Sequence, residues 1–223
     1  MDAVLFDIDG TLIGADGAGR QAITQAALEL YGLPGFFDGI RFDGGTDRGI
    51  CRAALARGLP ERCNDAEIDR LLAAYVAQLE KTIASARYQI FPGVERLLGV
   101  LAKAGTTIGL GTGNVERGAR IKLERGGLNP HFAFGGFGDD AEERSLILRR
   151  GLERAERLSG RPSARPWVVG DTPLDLQAAR KVGARVILVA TGSFGFAELE
   201  ACSPELCVET LEDPRVEHAL TGD

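Results

Sequence analysis

The hydrophobic pattern at the start of the chain predicts a buried strand that ends in acidic residues. Residues 3–6 form an uninterrupted apolar run, short enough for a buried strand, and Asp7 and Asp9 come after it. Side chains alternate along an extended chain, so both carboxylates point to the same side. Because two close carboxylates repel each other unless a cation lies between them, the pair suits a Mg²⁺ site or an acid–base pair. A plain Asp-Gly turn at the strand end is the alternative.

Residues 15–89 show only helical periodicity. Apolar residues recur at helical spacing over residues 17–31, and a cluster of Gly and Pro ends this helix. Asp47 is predicted to cap a second helix that runs to residue 57, and Asp65 a third that runs to about residue 85. This part of the chain is therefore predicted to be an all-helical block.

From residue 90 onward the pattern alternates between strands and helices. This rhythm predicts an α/β fold, a doubly wound parallel sheet with helices on both faces, to which the first strand also belongs. We expect residues 1–14 and 90–223 to form the core, and residues 15–89 to be a small helical domain inserted after strand one as a lid. The predicted strands are residues 106–111, 132–137, 166–169, 185–189 and 206–208, and the predicted helices are residues 94–104, 114–125, 141–158, 173–182, 196–201 and a last one from Pro214.

Composition and charge exclude several classes of function. With 223 residues, 44% apolar and 26% charged, the chain is typical of a soluble globular protein with one large domain and room for an insertion. The net charge of −6 and the lack of a Lys/Arg block disfavour nucleic acid and anionic membranes as partners. No apolar stretch reaches the ~20 residues of a membrane span, and the N-terminus does not resemble a signal peptide.

Cysteine and histidine usage points to a reduced compartment. The four cysteines form no Cys-x-x-Cys motif and only two histidines accompany them, which disfavours a zinc site and a Cys/His or Ser/His nucleophile. We therefore expect free thiols and a cytoplasmic location.

Polar side chains follow four strands of the predicted sheet, where each strand ends. In doubly wound sheets, ligands bind outside the carboxyl ends of the strands. Each residue alone has an ordinary explanation as a turn residue, a helix cap or a favourable charge at a helix N-terminus. Four such endings on one edge instead favour a binding site. They are Asp7 with Asp9, Thr112 in the stretch 111–114, Arg144 after the strand at 132–137, and Asp171 with Asp175.

Three of these endings resemble the motifs of a known family. The family is the haloacid dehalogenase superfamily. Its first motif resembles Asp7-Ile8-Asp9-Gly10-Thr11, its second resembles Gly111-Thr112-Gly113-Asn114, and its fourth resembles Gly170-Asp171-Thr172 with Asp175 following. The helical insertion resembles the small cap of that family, and the likeness, strongest to its phosphoglycolate phosphatase-like branch, covers nearly the whole chain. The resemblance implies a Rossmann-like core and a Mg²⁺-dependent phosphatase that hydrolyses a small phosphate monoester.

The resemblance also implies a role for each residue. Asp7 would attack phosphorus to form an aspartyl-phosphate, and Asp9 would act as general acid and then as base for the hydrolytic water. Thr112 and the amides of Gly113 and Asn114 would bind the phosphoryl oxygens. An anionic nucleophile needs positive charge near the phosphate, which Mg²⁺ supplies. The implied ligands of Mg²⁺ are the Asp7 carboxylate, the Asp9 main-chain carbonyl and Asp171, with Asp175 holding a metal-bound water or the cation of the third motif.

The third motif departs from the family pattern. Its usual residue is a lysine near the start of the helix after the third core strand, but no lysine lies between Lys122 and Lys181. Arg144 is predicted to take its place, ahead of Arg149 and Arg150, because it lies in the first turn after the preceding loop. A guanidinium can bind phosphate but sits differently from an ammonium. An ordinary surface arginine in a charged helix is the alternative.

The insertion is predicted to close over the site and to set substrate choice. In its glycine-rich loop at residues 42–48 we expect Arg48, with Arg41 or Thr46, to contact the non-reacting part of the substrate. The alternative is that Asp47 caps a helix and Arg48 is solvated. The expected partner is a small phosphorylated metabolite, with phosphoglycolate implied by the resemblance alone, and the pattern leaves a monomer and a dimer equally open.

Other classes of protein stay open beside this one. Asp9 argues against a dehalogenase, whose leaving halide needs no proton, but a β-phosphoglucomutase-like phosphomutase would share the same residues. A response-regulator-like receiver also uses an acidic cluster on a parallel sheet, although it is shorter and needs no helical lid. A non-catalytic relative that binds a phospho-ligand or serves as a scaffold is favoured only by the missing lysine.

Overall fold

The structure, a computed structural model, describes residues 2–222, so the predicted core ends at residues 1 and 223 lie outside the described residues. In chain order the strands are β1 (Val4–Phe6), β2 (Ile13–Gly14), β3 (Gln89–Ile90), β4 (Ile108–Gly111), β5 (Gly135–Gly136), β6 (Trp167–Gly170), β7 (Arg185–Val189) and β8 (Leu206–Val208). The helices are α1 (Ala18–Tyr31), α2 (Asp47–Gly58), α3 (Asp65–Ser85), α4 (Val94–Lys103), α5 (Glu116–Glu124), α6 (Arg144–Ser159), α7 (Pro173–Lys181), α8 (Phe196–Glu200) and α9 (Pro214–Thr221).

A six-stranded parallel sheet in the order β5-β4-β1-β6-β7-β8 forms the core, so the predicted α/β fold is confirmed. β1 lies between β4 and β6, although both come much later in the chain. Its side chains are fully buried and alternate between the two faces, as the pleat requires. Val4 and Phe6 pack with residues of α4, α5 and α9, whereas Leu5 packs with residues of α6, α7 and α8. The apolar run therefore sets the centre of the sheet.

The strand predicted over residues 132–137 is reduced to Gly135–Gly136. Phe132 ends a short 3₁₀ helix and buries its ring against Phe6, with the ring centroids 6.2 Å apart. At Gly136 the backbone of α6 comes so close that an added Cβ would lie 2.0 Å from the carbonyl oxygen of Ile147. The close approach of α6, and not strand propensity, thus determines which residues of this stretch pair with β4.

The inserted helices α1, α2 and α3 pack around a second apolar cluster, which includes Ile23, Leu55 and Leu71 and also Val115 of the core. The caps predicted at Asp47 and Asp65 are wrong by one residue, since Thr46 and Asn64 accept the capping hydrogen bonds. Each acidic residue lies instead in the first turn, where the helix dipole favours its charge.

A two-stranded antiparallel ribbon joins the insertion to the core. β2 pairs with β3, so that Ile13 faces Ile90 and Gly14 faces Gln89. The hydrophobic pattern did not predict this ribbon, because two residues per strand are too few to show a period. Among residues 2–222 no helix is long and apolar enough to cross a membrane.

Candidate active site

A cavity of about 420 Å³ lies between the carboxyl edge of the sheet and the helical insertion. Its core side is built from the residues that follow β1, β4 and β6 and from the start of α6. The structure therefore brings together most of the residues predicted from four separate stretches of sequence. Those that line the cavity are Asp7, Asp9, Thr112, Gly113, Asn114, Arg144 and Asp171.

Arg144 is the positively charged partner of Asp7. It is the first residue of α6 and only 8% exposed, and its Nη2 lies 2.8 Å from Oδ2 of Asp7 and 2.5 Å from Oδ1 of Asp175. Burial alone would lower the pKa of Arg144, but the carboxylates of Asp175 and Asp7 outweigh it and raise the pKa. Asp175 is fixed in turn, since its Oδ2 accepts hydrogen bonds from the amide and the hydroxyl of Thr172 at 3.1 and 2.7 Å. Arg144 is thus a buried residue of the cavity and not a surface arginine.

Asp7, Asp171 and Asp175 form a buried acidic cluster in which one carboxylate oxygen of each lies within 4.8 Å of the others. Burial raises the pKa of Asp7 to about 6, with Arg144 opposing the shift and the neighbouring carboxylates adding to it. Burial, and then the charges of Asp175 and Asp7, raises the pKa of Asp171 well above its usual value. The oxygens of these three carboxylates are close enough together that they could hold a metal ion.

Two glycines make the room that Asp171 needs. An added Cβ would lie 2.2 Å from its Oδ2 at Gly10 and 1.8 Å from the same atom at Gly192. Gly10 also has a positive φ of 82°, which a residue with a side chain rarely adopts. The hydroxyl of Thr11 donates a hydrogen bond to Oδ1 of Asp171 at 3.0 Å. A side chain at either glycine would therefore displace this carboxylate.

Asp9 also lines the cavity, but it belongs to a separate hydrogen-bond network. Its Oδ2 accepts hydrogen bonds from Nζ of Lys122 at 2.6 Å and from Nδ2 of Asn114 at 2.8 Å. The Asn114 side chain also donates to Oγ1 of Thr112 at 2.8 Å and accepts from Lys122 at 2.6 Å. Burial alone would raise the pKa of Asp9, but Lys122 and then Asn114 outweigh it, so the pKa is lowered. The two acidic residues of the first motif thus have different cations, Arg144 for Asp7 and Lys122 for Asp9.

Lys122 is a residue of the cavity that was not predicted from the sequence. It lies in the last turn of α5, two turns beyond the second motif, whereas the family motif covers only the residues next to the strand. The sequence does contain one indication that Lys122 is buried. The buried side of α5 consists of Gly118, Ala119, Lys122 and Leu123. A lysine within a stripe of small and apolar residues is buried, and a buried lysine needs a charged partner.

The insertion rests directly on the loops of the core that bear the second and third motifs. The amide of Asp47 donates to the carbonyl oxygen of Gly113 at 2.8 Å, and its Oδ2 accepts from the amide of Val115 at 2.9 Å. Arg52 makes a two-pronged contact with Glu142, with Nε and Nη2 2.8 and 2.6 Å from Oε1. The cavity is therefore covered by the insertion in this structure.

The predicted substrate contacts of the insertion are not in the cavity. Arg48 does not line it, because its guanidinium is paired with Asp69 and, at 3.5 Å, with Asp65 on α3. The hydroxyl of Thr46 donates to the carbonyl oxygen of Glu142, and Arg41 lies over the ring of Phe194. The insertion instead lines the cavity with Arg20, Ile23, Phe42, Asp47, Ile50 and Tyr75.

Known proteins with similar sequences identify the family to which this protein belongs. The chain matches the haloacid dehalogenase-like hydrolases over residues 4–189 and therefore belongs to this family, as the motifs predicted. It is similar to the phosphoglycolate phosphatase of Synechococcus elongatus, with 29% identity over 216 residues that cover 96% of this chain and 95% of that protein. The phosphoglycolate phosphatase of Mesorhizobium japonicum is 30% identical over 200 residues, or 87% and 84% of the two chains. The predicted enzyme class, a phosphoric monoester hydrolase, is confirmed by the family and these relatives.

Solved structures show the same fold. CbbY from Rhodobacter sphaeroides in complex with phosphate superposes with a TM-score of 0.76 at 20% identity and covers 96% of each chain. A hydrolase from Pseudomonas syringae gives a TM-score of 0.70 at 21% identity, over 98% of this chain and 96% of that one.

Proposed function

We propose that the protein is a Mg²⁺-dependent phosphatase that hydrolyses a small phosphate monoester through an aspartyl-phosphate on Asp7. The observation that supports this most directly is the pairing of Asp7 with the buried Arg144 in a cavity that Asp9 also lines. A carboxylate nucleophile, a fixed cation and a second carboxylate that can exchange a proton are the parts that this reaction needs.

The proposed reaction has two steps. An oxygen of Asp7 attacks phosphorus and the bond to the leaving oxygen breaks. Because the pKa of free Asp9 is lowered, Asp9 takes the proton that enters with the phosphate monoanion and passes it to the leaving oxygen. A water molecule then passes a proton to Asp9 and attacks the phosphoryl group, which leaves as inorganic phosphate and restores the Asp7 carboxylate. Oγ1 of Thr112 accepts from Asn114 and so keeps its own proton for a phosphoryl oxygen. The amide of Gly113 donates to no other group within residues 2–222 and is available to the same phosphoryl group.

The acidic cluster fits Mg²⁺, a hard cation that prefers oxygen ligands. Asp7 and Asp171 offer carboxylates, and the main-chain carbonyl of Asp9 accepts no hydrogen bond from any residue of the described chain. Asp175 is already held by Arg144 and Thr172, so we assign it to holding Arg144 in place. When bound, Mg²⁺ would neutralise charge on the transferred phosphoryl group.

Mg²⁺ is expected to raise the Tm of the protein, and to do so more at about pH 7.5 than at about pH 5.5. The pKa of Asp7 is about 6 in the folded protein against an ordinary value of 3.8. From about pH 4 until the pH has passed the folded pKa, the folded state therefore holds more protons than the unfolded state. Its stability without metal therefore falls as pH rises through this window. Mg²⁺ competes with those protons, so its stabilisation is largest where the carboxylates are ionised.

Differential scanning fluorimetry with Mg²⁺ or EDTA at both pH values measures this effect. Asp171→Asn should lose the Mg²⁺-dependent shift, whereas Asp16→Asn, which alters an exposed carboxylate outside the cavity, should keep it. A full shift in Asp171→Asn would show that the metal binds elsewhere.

For the substrate we propose a small anionic phosphate ester. Phosphoglycolate is the first candidate, because similar proteins are named phosphoglycolate phosphatase. A variant of CbbY was solved with xylulose-(1,5)bisphosphate, which adds sugar bisphosphates to the compounds worth testing. We also propose a cytoplasmic location, since all four cysteines are free thiols.

The test of the proposed function is release of inorganic phosphate from a panel of phosphate esters, with Mg²⁺ and with EDTA. Turnover that needs Mg²⁺ and yields phosphate and alcohol in equal amounts would support a phosphatase. Isomerised sugar phosphate without free phosphate would support the phosphomutase alternative, and no turnover on any ester would support the scaffold alternative.

Tyr75→Phe is expected to lower kcat/KM for the preferred ester by roughly tenfold, but to change turnover of p-nitrophenyl phosphate much less. Tyr75 is 2% exposed and carries its hydroxyl from α3 into the cavity, where it has no hydrogen-bond partner among residues 2–222. A substrate oxygen would supply that partner. Arg48→Ala is the matched control, since Arg48 lies outside the cavity, and it should leave the ratio between the two esters unchanged. Equal losses on both esters in Tyr75→Phe would contradict a specificity role.

A further inference from the structure

Lys122 is a buried lysine that the reaction as described above does not use. It is 4% exposed on α5, at the floor of the cavity, and its ammonium lies between Oδ2 of Asp9 and Oδ1 of Asn114 at 2.6 Å from each. Removing an ammonium from water is unfavourable unless its partners replace the lost hydration. The contacts with Asp9 and Asn114 supply that replacement, so the position of Lys122 is tied to the position of Asp9.

The contacts on Asp9 are unequal. Both donors, Lys122 and Asn114, bind the same oxygen, Oδ2. Oδ1 accepts no hydrogen bond from the described part of the chain, and 48% of the Asp9 side chain is exposed, toward the cavity that it lines. A carboxylate held at one oxygen by two donors has a fixed orientation, and its other oxygen is presented to whatever enters the cavity.

The surroundings of Lys122 leave space for this arrangement. Gly19 of α1 lies above it, and an added Cβ there would be 3.3 Å from Nζ of Lys122 and 3.6 Å from the hydroxyl of Tyr75. Asp47 contributes a further negative charge near Lys122 that favours its charged form. The ammonium is therefore enclosed by groups from both the core and the insertion.

We propose that Lys122 is a positioning residue that, with Asn114, clamps Oδ2 of Asp9 so that Oδ1 faces the leaving oxygen and later the attacking water. This inference rests on the proposed function, because it assumes that Asp9 is the acid and the base of the reaction. It assigns the cations of the site to different tasks, with Arg144 beside the nucleophile and Lys122 beside the proton carrier.

The experiment compares two esters in rapid mixing and in steady state. p-Nitrophenolate leaves without a proton, so phosphorylation of Asp7 by p-nitrophenyl phosphate does not need Asp9, whereas an alkyl phosphate needs it in both steps. Lys122→Met is expected to keep a burst of p-nitrophenol close to one per enzyme, at a rate within about threefold of wild type. Its steady-state turnover should fall by about 100-fold on both esters, since Asp9 no longer activates water efficiently.

Two further variants keep the test decisive if Lys122→Met is unstable. Lys122→Arg retains a cation that can reach Asp9 and should recover a substantial part of the turnover, whereas Lys122→Gln should behave like Lys122→Met. Lys103→Met, which removes an exposed lysine at the end of α4, is the control and should match wild type. Circular dichroism and Tm identify any variant that is not folded.

The proposal is overturned if the burst and the turnover fall together in the folded Lys122 variants, because a structural defect slows both steps equally. It is also overturned if Lys122→Met turns over as fast as wild type. If Asp7→Asn still shows a burst or still turns over, the proposed function itself fails, and that outcome is read from a protein in which Lys122 is unchanged.

Discussion

Asp7→Asn is expected to abolish turnover, lowering kcat by about 10⁴-fold or more, because an amide cannot form the acyl phosphate. The fold should persist, since the replacement keeps the shape of the side chain. It also removes one charge from a cluster in which burial and neighbouring carboxylates already raise the pKa of Asp7 to about 6. Phosphate release and Tm, measured on the same preparations, check both parts of this expectation.

The control for Asp7→Asn is Asp16→Asn. Asp16 is exposed and outside the cavity, and its φ of 47° is one that asparagine adopts readily. Wild type and Asp16→Asn are mixed with an ester labelled on its phosphoryl group and are then quenched in acid. Both proteins should carry a labelled phosphoryl group that hydroxylamine removes. Asp7→Asn should carry none. A labelled Asp7→Asn protein would mean that the nucleophile is a different residue.

Arg144→Met should be the most damaging replacement of a basic residue in the cavity. Nη2 of Arg144 touches both Asp7 and Asp175, so its loss leaves two buried carboxylates facing each other without a cation. Breaking such a pair costs about 3–5 kcal/mol of stability. We expect kcat to fall by about 10²-fold or more as well, because the transferred phosphoryl group loses a fixed positive charge.

Arg144→Lys tests whether the guanidinium itself is needed. A single nitrogen makes both short contacts, so an ammonium that reaches the same place should restore much of the stability and keep kcat within about tenfold of wild type. Arg149→Met is the control, since Arg149 is exposed on the next turn of α6. Denaturant unfolding and phosphate release provide the two readouts. If Arg144→Met is as stable and as active as wild type, Arg144 has no role in the stability of the acidic cluster or in the reaction.

Much of the core could be predicted from the sequence because its signals are local. The apolar run before Asp7 is fully buried in the central strand, and the repeated alternation of strand and helix matches the observed parallel sheet. Asp7, Thr112 and Asp171 come together because parallel strands end at a common edge, which is a property of the topology. The position of Arg144 followed from its place just after a loop, and the structure puts it 2.8 Å from Asp7.

The parts that could not be predicted depend on how helices pack against the sheet. Lys122 is eight residues beyond Asn114 along the chain, and only the rotation of α5 brings its ammonium to Asp9. Helix packing also decides which residues of the insertion line the cavity. Arg48 was predicted to contact the substrate, but the packing of α2 on α3 turns it toward Asp69, and Tyr75 lines the cavity. A basic residue in a glycine-rich loop is a visible pattern, but an aromatic residue in a regular amphipathic stripe is not.

The ribbon of β2 and β3 has a consequence for how this enzyme can diversify. Gly14 and Gln89 are paired, so the chain leaves the core and returns to it at neighbouring points. Insertions whose ends lie side by side can be exchanged without moving the scaffold that carries them. On the proposed function, the residues at the sheet edge would carry out phosphoryl transfer and the insertion would select the substrate, with Asp47 and Arg52 fixing the insertion against the core. We therefore expect that exchange of the stretch between Gly14 and Gln89 would change the preferred substrate and leave the reaction unchanged.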